Sequence, residues 1–347
     1  MTGVLIRGDG VAARCCARLL SRSGVPVSLQ PTDRPRLPAI MLSEPAQALI
    51  QEVFGREHLF RDLPRIRKRI VAWGRDASPV DLEHSAVVVS EELLLESLGP
   101  ALPDAAAGVD SKVDINVDIN VDINVDIGWT VFASMPLPVV AAEHRFGSRI
   151  ATAMRVELKP EAEAAVCWIE SIENGWLFLI ANAGSGWLLT VGPRPHELLD
   201  QSRLIREQIA GYQPTAAQFA ASPRIAAPLG EPGWIACGTA AMAFDPLCGD
   251  GTAHAVREAI LASAVIGAAA RGDDPVQLMA HYEARLTAGF RRHLAHCLEY
   301  YASGYGGPWW ESEAESVVQG LDWCGRQLSR HTKFRYRLDG FELIAIG

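Results

Sequence analysis

Hydrophobic residues near the start of the chain form a short run that ends in a glycine-rich turn. Residues 4–6 are apolar, residues 8–13 read Gly-Asp-Gly-Val-Ala-Ala, and apolar side chains then recur at helical spacing over residues 11–23. A second apolar run, residues 25–29, ends at Gln30. The runs predict strands and the periodic stretch predicts a helix, so the chain opens with a β-α-β unit.

Alternating apolar and polar residues predict a β-rich middle. Four strand-like runs predict an antiparallel sheet, at residues 151–158, 163–170, 175–182 and 186–191. Residues 113–127 carry a Val-Asp-Ile-Asn repeat whose strict period of two predicts an extended hairpin. The repeat lacks the glycine and distal glutamate of a calcium loop, so it does not predict a metal site.

Helical periodicity dominates the end of the chain. Helices are predicted at residues 196–211, 255–270, 276–303 and 311–329, followed by a strand-like tail at 334–346. Earlier, residues 65–73 alternate basic and apolar side chains, which predicts a strand with one basic face.

Composition narrows the class of protein. The chain has 347 residues, 49% of them hydrophobic, enough for about two domains with a large core. A net charge of −9 disfavours nucleic acid and anionic membranes as partners. The apolar run at residues 259–270 is too short to span a bilayer, and no signal-peptide pattern is visible ahead of the first strand, so neither a membrane span nor a secretion signal is expected. Seven scattered cysteines without C-x-x-C spacing predict a cytoplasmic protein with no disulfide framework and no metal.

The first glycine turn has the spacing of a dinucleotide site. Gly8 permits the tight turn, Gly10 lets a diphosphate approach the backbone, and Ala13 lets the helix pack on the strand. The helix N-terminus then presents N–H groups and a positive dipole end to the phosphates. Gln30 takes the place where an acid usually binds a ribose, and it offers only neutral hydrogen bonds. An ordinary β-α-β unit without a nucleotide is the alternative.

A second glycine turn lies more than two hundred residues later, just before an alanine-rich helical stretch. Residues 234–252 resemble the late FAD motif of aromatic-ring flavin monooxygenases and flavin-dependent halogenases, where a strand ends in Gly-Asp-Ala and Asp-Pro, Gly-x-Gly and a helix follow. The resemblance implies FAD-binding roles for Gly238, Thr239, Asp245, Pro246, Gly249, Gly251 and Thr252. Glycines allow close backbone approach, and the helix N-terminus stabilises negative charge on reduced flavin.

The same resemblance implies an α/β architecture. Its parts are a Rossmann-like FAD-binding domain (residues 1–64, 82–149 and 220–272), an interleaved antiparallel β-sheet substrate domain (65–81 and 150–219) and a helical C-terminal region (273–347). Three charged residues, Arg34, Arg36 and Glu44, fall in a loop and helix that line the adenosine and flavin side of the cleft in relatives, although solvated surface charges are an equal alternative. Among them, Arg36 is the candidate cofactor-binding residue. Four positions depart from the family pattern: Gln30 and Thr239 each replace an acid, Ser90 replaces an Arg at a helix start, and an Asp-Gly element is missing near residues 129–134. Ser90 is followed by two acids, which predicts an N-cap at that helix start.

Four further side chains are candidates for chemistry. His254 opens the helix that faces the flavin in relatives and is a candidate base, with packing as the alternative. Lys68 is a possible counterpart of the halogenase lysine, although a solvent-facing basic strand is favoured. Trp176 keeps the first tryptophan of the halogenase Trp-x-Trp motif, and with Phe178 it predicts a flat pocket for an aromatic substrate. Core packing is the alternative, and it is favoured for at least half of the aromatic residues of this sheet.

The resemblance implies an FAD-dependent monooxygenase that uses O2 and NAD(P)H or another reductant. Its C4a-hydroperoxyflavin would hydroxylate an aromatic ring. Within the superfamily the chain most resembles the flavoproteins of tryptophylquinone cofactor biogenesis, which implies a tryptophan in a partner polypeptide as substrate. The alternatives are a halogenase or hydroxylase of small molecules, a geranylgeranyl-reductase-like enzyme, and a non-catalytic scaffold that binds a partner.

Overall fold

The computed structural model describes residues 3–100, 127–182, 184–330 and 335–346. The strands in these ranges are β1 Gly3–Arg7, β2 Val27–Gln30, β3 Ile40–Ser43, β4 Arg65–Ala72, β5 Val80–Val89, β6 Ile127–Phe132, β7 Ala142–Arg145, β8 Ile150–Leu158, β9 Val166–Ile172, β10 Gly175–Asn182, β11 Ser185–Val191, β12 Ile209–Ala220, β13 Arg224–Ala227, β14 Gly230–Glu231, β15 Trp234–Ala236, β16 Met242–Ala243, β17 Tyr336–Asp339 and β18 Glu342–Ala345. The helices are α1 Val11–Arg22, α2 Glu44–Phe54, α3 Glu91–Leu98, α4 Pro195–Gln201, α5 Gly251–Ala270, α6 Pro275–Ala302 and α7 Pro308–Leu328. The predicted hairpin at residues 113–127 lies outside the described residues apart from its last position.

A five-stranded sheet carries the first glycine turn. Its order is β14-β15-β6-β1-β2, and β1 pairs in parallel with both β2 and β6. Helices α1 and α5 pack together on it, with the Cys16 Sγ 3.6 Å from the Ala259 carbonyl oxygen. The buried faces of these two helices and the central strands form the main core, so the sheet places the starts of α1 and α5 side by side.

An eight-stranded sheet stands beside it, in the order β12-β8-β11-β10-β9-β4-β5-β3. The four predicted strands of the middle region form its centre as antiparallel β8, β11, β10 and β9. The fold is therefore the predicted α/β combination of a Rossmann-type sheet, an antiparallel sheet and a helical C-terminal region. The exact domain boundaries given above remain predictions.

The predicted helix at residues 196–211 is wrong in its second half. Helix α4 ends at Gln201, and Ile209 begins the edge strand β12, which pairs with β8. The buried Glu170 carboxylate explains the break, because it accepts hydrogen bonds from the backbone N–H groups of Arg203 (2.8 Å) and Ile205 (3.0 Å). Those groups are then held by a side chain, and the chain leaves the helical path.

Helix α5 runs through the centre of the protein. By length and composition alone it is apolar enough to cross a membrane, which corrects the shorter run expected from the sequence. However, 67% of its most apolar window is buried inside the protein, as in the core helix of a globular domain. Its first turn faces the cavity described next.

Candidate functional site

The two glycine turns meet at one cavity of about 420 Å³. Gly10 and the first residues of α1 line one end, and Gly249, Gly251 and Thr252 line the other. Between them, a Cβ added to Gly238 would lie only 2.7 Å from the Cβ of Ala12, and Gly238 has a φ of +58°. Only glycine fits this contact, so the second turn packs directly on the first.

Eight of the twelve predicted cofactor residues line this cavity: Gly10, Gly238, Thr239, Asp245, Pro246, Gly249, Gly251 and Thr252. Gly8 lies just behind the wall with a φ of +126°, and an added Cβ would meet the Ser134 Oγ at 2.9 Å. Ala13 is fully buried at the packing surface of α1. These two residues shape the turn without facing the cavity.

Gln30 and Arg36 are not in the cavity wall. Gln30 is exposed at the end of β2, where its carbonyl accepts the Gly8 N–H at 2.8 Å. Arg36 forms an ion pair with Asp9. Arg34, two residues earlier, lines the cavity instead, because the loop after β2 turns that side chain towards the start of α1.

Arg34 and Glu91 form an ion pair directly over the first glycine turn. Glu91 is 3% exposed, pairs with Arg34 and accepts the Leu37 N–H at 3.0 Å. A Cβ on Gly10 would come within 2.6 Å of the Arg34 guanidinium. The sequence places Glu91 at the start of α3, where Ser90 is the predicted N-cap and accepts the Leu93 N–H at 3.1 Å. Its pairing with Arg34 follows only from the tertiary structure.

Asp245 lies in the cavity wall, but its carboxylate points away into the C-terminal helices. One oxygen, Oδ2, contacts the Arg149 Nε at 3.0 Å and accepts the Tyr301 hydroxyl at 2.9 Å. The other, Oδ1, accepts the Leu247 N–H at 2.9 Å. Arg149 also pairs with the buried Glu313 at 2.5 Å. Asp245 therefore anchors the second turn and leaves the backbone of that turn to face a ligand.

Glu258 is a buried acid in the cavity wall that sequence reasoning missed. Gly251, Ala255 and Glu258 share the face of α5 that lines the cavity, at helical spacing. Neither carboxyl oxygen has a hydrogen-bond partner, and the Gly238 N–H lies towards the group without completing a well-formed bond. Burial raises the pKa of Glu258 well above its ordinary value, because the low-polarity surroundings favour the neutral carboxyl over the carboxylate.

The eight-stranded sheet gives the cavity an aromatic wall. Phe178, Ile180, Trp187, Leu189 and Phe219 all line it. Phe178 pairs with Leu189, and Ile180 pairs with Trp187, so these side chains share one face of the sheet.

Trp176, the other predicted pocket residue, is fully buried and does not line the cavity. It lies on the same face of β10 as Phe178, two residues earlier. At that end of the strand α6 covers the sheet, and the Trp176 Nε1–H donates to the Tyr301 hydroxyl at 3.2 Å.

The two predicted catalytic residues also lie outside the cavity wall. Lys68 is partly exposed and forms ion pairs with Glu163 (2.7 Å) and Asp81 (3.4 Å) on the sheet surface. The His254 ring stacks on the back of Phe244 at 4.0 Å, and burial lowers its pKa to about 4. Phe244 lines the cavity, whereas His254 does not. The positions of both residues agree with the alternatives to catalysis.

Three metal-ligating side chains meet beside the second turn. Cys248, His293 and Cys297 place their donor atoms within 4.8 Å of one another. His293 is buried, because its face of α6 packs on the turn. The prediction of no metal was based on the lack of C-x-x-C spacing. That criterion does not detect these three residues, because Cys248 is distant in sequence from His293 and Cys297, which lie one helical turn apart on α6.

No protein-family model and no curated protein sequence matches the chain. Among solved structures, it is similar to QhpG, a peptidyl tryptophan dihydroxylase essential for tryptophylquinone cofactor biogenesis, at a TM-score of 0.71 and 19% identity over 90% of this chain and 78% of that one. It is also similar to the flavin-dependent halogenase CmlS, at a TM-score of 0.73 and 16% identity over 95% of this chain and 71% of that one. The myxobacterial FAD-dependent halogenase CndH gives a TM-score of 0.73 and 14% identity over 95% and 90% of the two chains.

These similarities show that the chain shares the overall fold of these flavin-dependent enzymes, as the sequence analysis expected. The meeting of its two glycine turns at one cavity agrees with that fold.

Proposed function

We propose that the chain is an FAD-dependent monooxygenase that hydroxylates an aromatic ring. One observation carries the proposal: a single cavity joins both glycine turns to an aromatic wall of the neighbouring sheet. A dinucleotide fits the side of the cavity formed by the glycine turns, and a flat apolar substrate fits the side formed by the aromatic wall.

The residues around the cavity fit the separate parts of FAD. The diphosphate matches the start of α1, where Gly10 keeps the backbone open and Arg34 supplies a cation. The unpartnered carboxyl of Glu258 lies between the two turns and suits the hydroxyl groups of the linking chain. The ring matches the start of α5, whose N–H groups favour negative charge.

FAD held here and reduced by NAD(P)H or another donor would supply the two electrons that activate O2, so that one oxygen atom of O2 enters the ring and the other is released as water. The chain's own residues position the partners and exclude water. Phe178 and Trp187 offer flat apolar surfaces to an aromatic guest, and Phe244 closes the wall near the second turn. Asp245, fixed by Arg149 and Tyr301, holds that turn in place.

The mouth of the cavity supports a substrate carried on a polypeptide. Leu37 and Phe219 both line the cavity, yet they are 46% and 39% exposed, so the rim is apolar and open to solvent. An apolar rim suits a partner chain that inserts one side chain. The similar fold of QhpG, a peptidyl tryptophan dihydroxylase, supports tryptophan as that side chain.

Halogenation of a small molecule is less well supported. In the described residues no lysine lines the cavity, and Lys68 is held at the sheet surface by two acids. The role of Lys68 was inferred from the halogenase resemblance, so its position outside the cavity favours hydroxylation over halogenation.

Flavin binding and product analysis test the proposal. The purified chain should take up FAD, and with NAD(P)H or a photoreductant and O2 it should add an oxygen atom to Trp-containing peptides more efficiently than to free tryptophan, as measured by mass spectrometry. Phe178→Ala should reduce product formation at least about tenfold, while Tyr212→Ala, an exposed aromatic of the same sheet outside the cavity, should not. A chain that binds a peptide but takes up no FAD would support the scaffold instead.

A further inference from the structure

Cys248, His293 and Cys297 form a cluster on the side of the second glycine turn that faces α6. Cys248 ends the one-turn helix Pro246–Cys248, and the other two lie four residues apart on one face of α6. The cavity wall uses the neighbouring Pro246 and Gly249, but not these three side chains. The proposed monooxygenase reaction therefore gives the cluster no role.

Two of the three donor distances within the cluster match the edges of a tetrahedral metal site, and the third is at most 4.8 Å. The two sulfur atoms are 3.8 Å apart, and the Cys297 Sγ lies 3.3 Å from the His293 Nε2. Zinc bonds of about 2.3 Å to sulfur and about 2.0 Å to nitrogen give tetrahedral edges of about 3.8 Å between two sulfurs and about 3.5 Å between sulfur and nitrogen. The donors thus need only small side-chain movements to share one ion.

We propose that Cys248, His293 and Cys297 bind one zinc ion that ties the second glycine turn to helix α6. Two thiolates and one imidazole are a typical zinc donor set, and three protein ligands leave the fourth position for water. Binding releases the thiol protons to solvent and involves no change of oxidation state. The proposal does not depend on FAD or on any activity of the chain.

One existing interaction competes with the ion. The Asp245 N–H donates a hydrogen bond to the His293 Nε2 at 2.9 Å, and the metal must take over that lone pair. A single hydrogen bond contributes little beside metal–thiolate coordination, so the exchange is favourable. Since Asp245 keeps its contacts to Arg149 and Tyr301, the turn stays anchored while the ion adds a second attachment.

Metal titration of the reduced, chelator-treated full chain tests the site. Zinc should bind at one ion per chain in competition with a chromophoric chelator, and cobalt should give thiolate charge-transfer bands with tetrahedral ligand-field absorption. Cys297→Ala and Cys248→Ala should each weaken zinc binding about 100-fold or more. The matched control Cys324→Ala removes a buried thiol from α7 and should leave zinc binding unchanged.

Three outcomes would overturn the proposal. They are no stoichiometric zinc in the folded, reduced chain, equal zinc binding by the wild type and the Cys297→Ala variant, and cobalt spectra without thiolate bands. Flavin uptake, read separately from absorbance, shows whether the proposed function stands or fails on its own.

Discussion

A substitution at Gly10 separates cofactor binding from folding. The backbone at Gly10 has φ −75° and ψ −174°, which any residue adopts, so Gly10→Val introduces no backbone strain. Its Cβ would meet the Arg34 guanidinium at 2.6 Å, the far end of a flexible side chain that can move aside. Including the poorer N-cap, we expect the apoprotein to lose only about 1–2 kcal/mol of unfolding free energy.

The same Cβ stands where the diphosphate must approach the start of α1. If it prevents two charge-assisted hydrogen bonds of about 1.5–3 kcal/mol each, the loss is about 3–6 kcal/mol. That corresponds to a dissociation constant for FAD that is about 100-fold to 10,000-fold higher. Quenching of flavin fluorescence on titration with apoprotein measures this constant, and urea unfolding measures the stability.

Gly325→Val on α7 is the matched control, because an added Cβ there meets nothing within 4 Å. It should bind FAD as the wild type does. If Gly10→Val is well folded and binds FAD within about threefold of the wild type, the diphosphate does not lie at the first glycine turn and the site assignment fails.

Three further predictions concern buried titratable side chains. Burial lowers the pKa of His254 to about 4 from an ordinary 6.5, so its stabilising contribution is complete above pH 6.5 and is lost as the pH falls towards 4. His254→Phe should therefore flatten the plot of unfolding free energy, measured in urea, against pH over this range. An unchanged slope would contradict the prediction. Arg149→Met strands the Asp245 and Glu313 carboxylates and should cost about 3–5 kcal/mol of unfolding free energy, with wild-type stability as the refuting result. Glu258→Leu removes an unpartnered carboxyl, so the apoprotein should gain about 1–3 kcal/mol while FAD binds about tenfold more weakly; a less stable apoprotein would show that the carboxyl has a partner.

Local patterns determined most elements of the fold. The glycine spacing predicted α1 and its entry turn, period-two alternation predicted strands β8 to β11, and Ser90 was recognised as a helix cap. These features depend on turn chemistry and side-chain periodicity, which act within a few residues. The helix predicted at residues 196–211 was wrong in its second half because a long-range contact decides that part of the chain. Glu170 is distant in sequence, and its carboxylate accepts hydrogen bonds from backbone N–H groups there.

Which residues line the site could be decided only from the tertiary structure. Period two places Trp176 and Phe178 on the same face of β10, but only the packing of α6 decides that the first is buried and the second faces the cavity. Likewise Arg34, rather than Arg36, lines the cavity, where it pairs with the buried Glu91. A sequence pattern fixes which side of an element a residue occupies, whereas the chain's long-range contacts determine what covers that side.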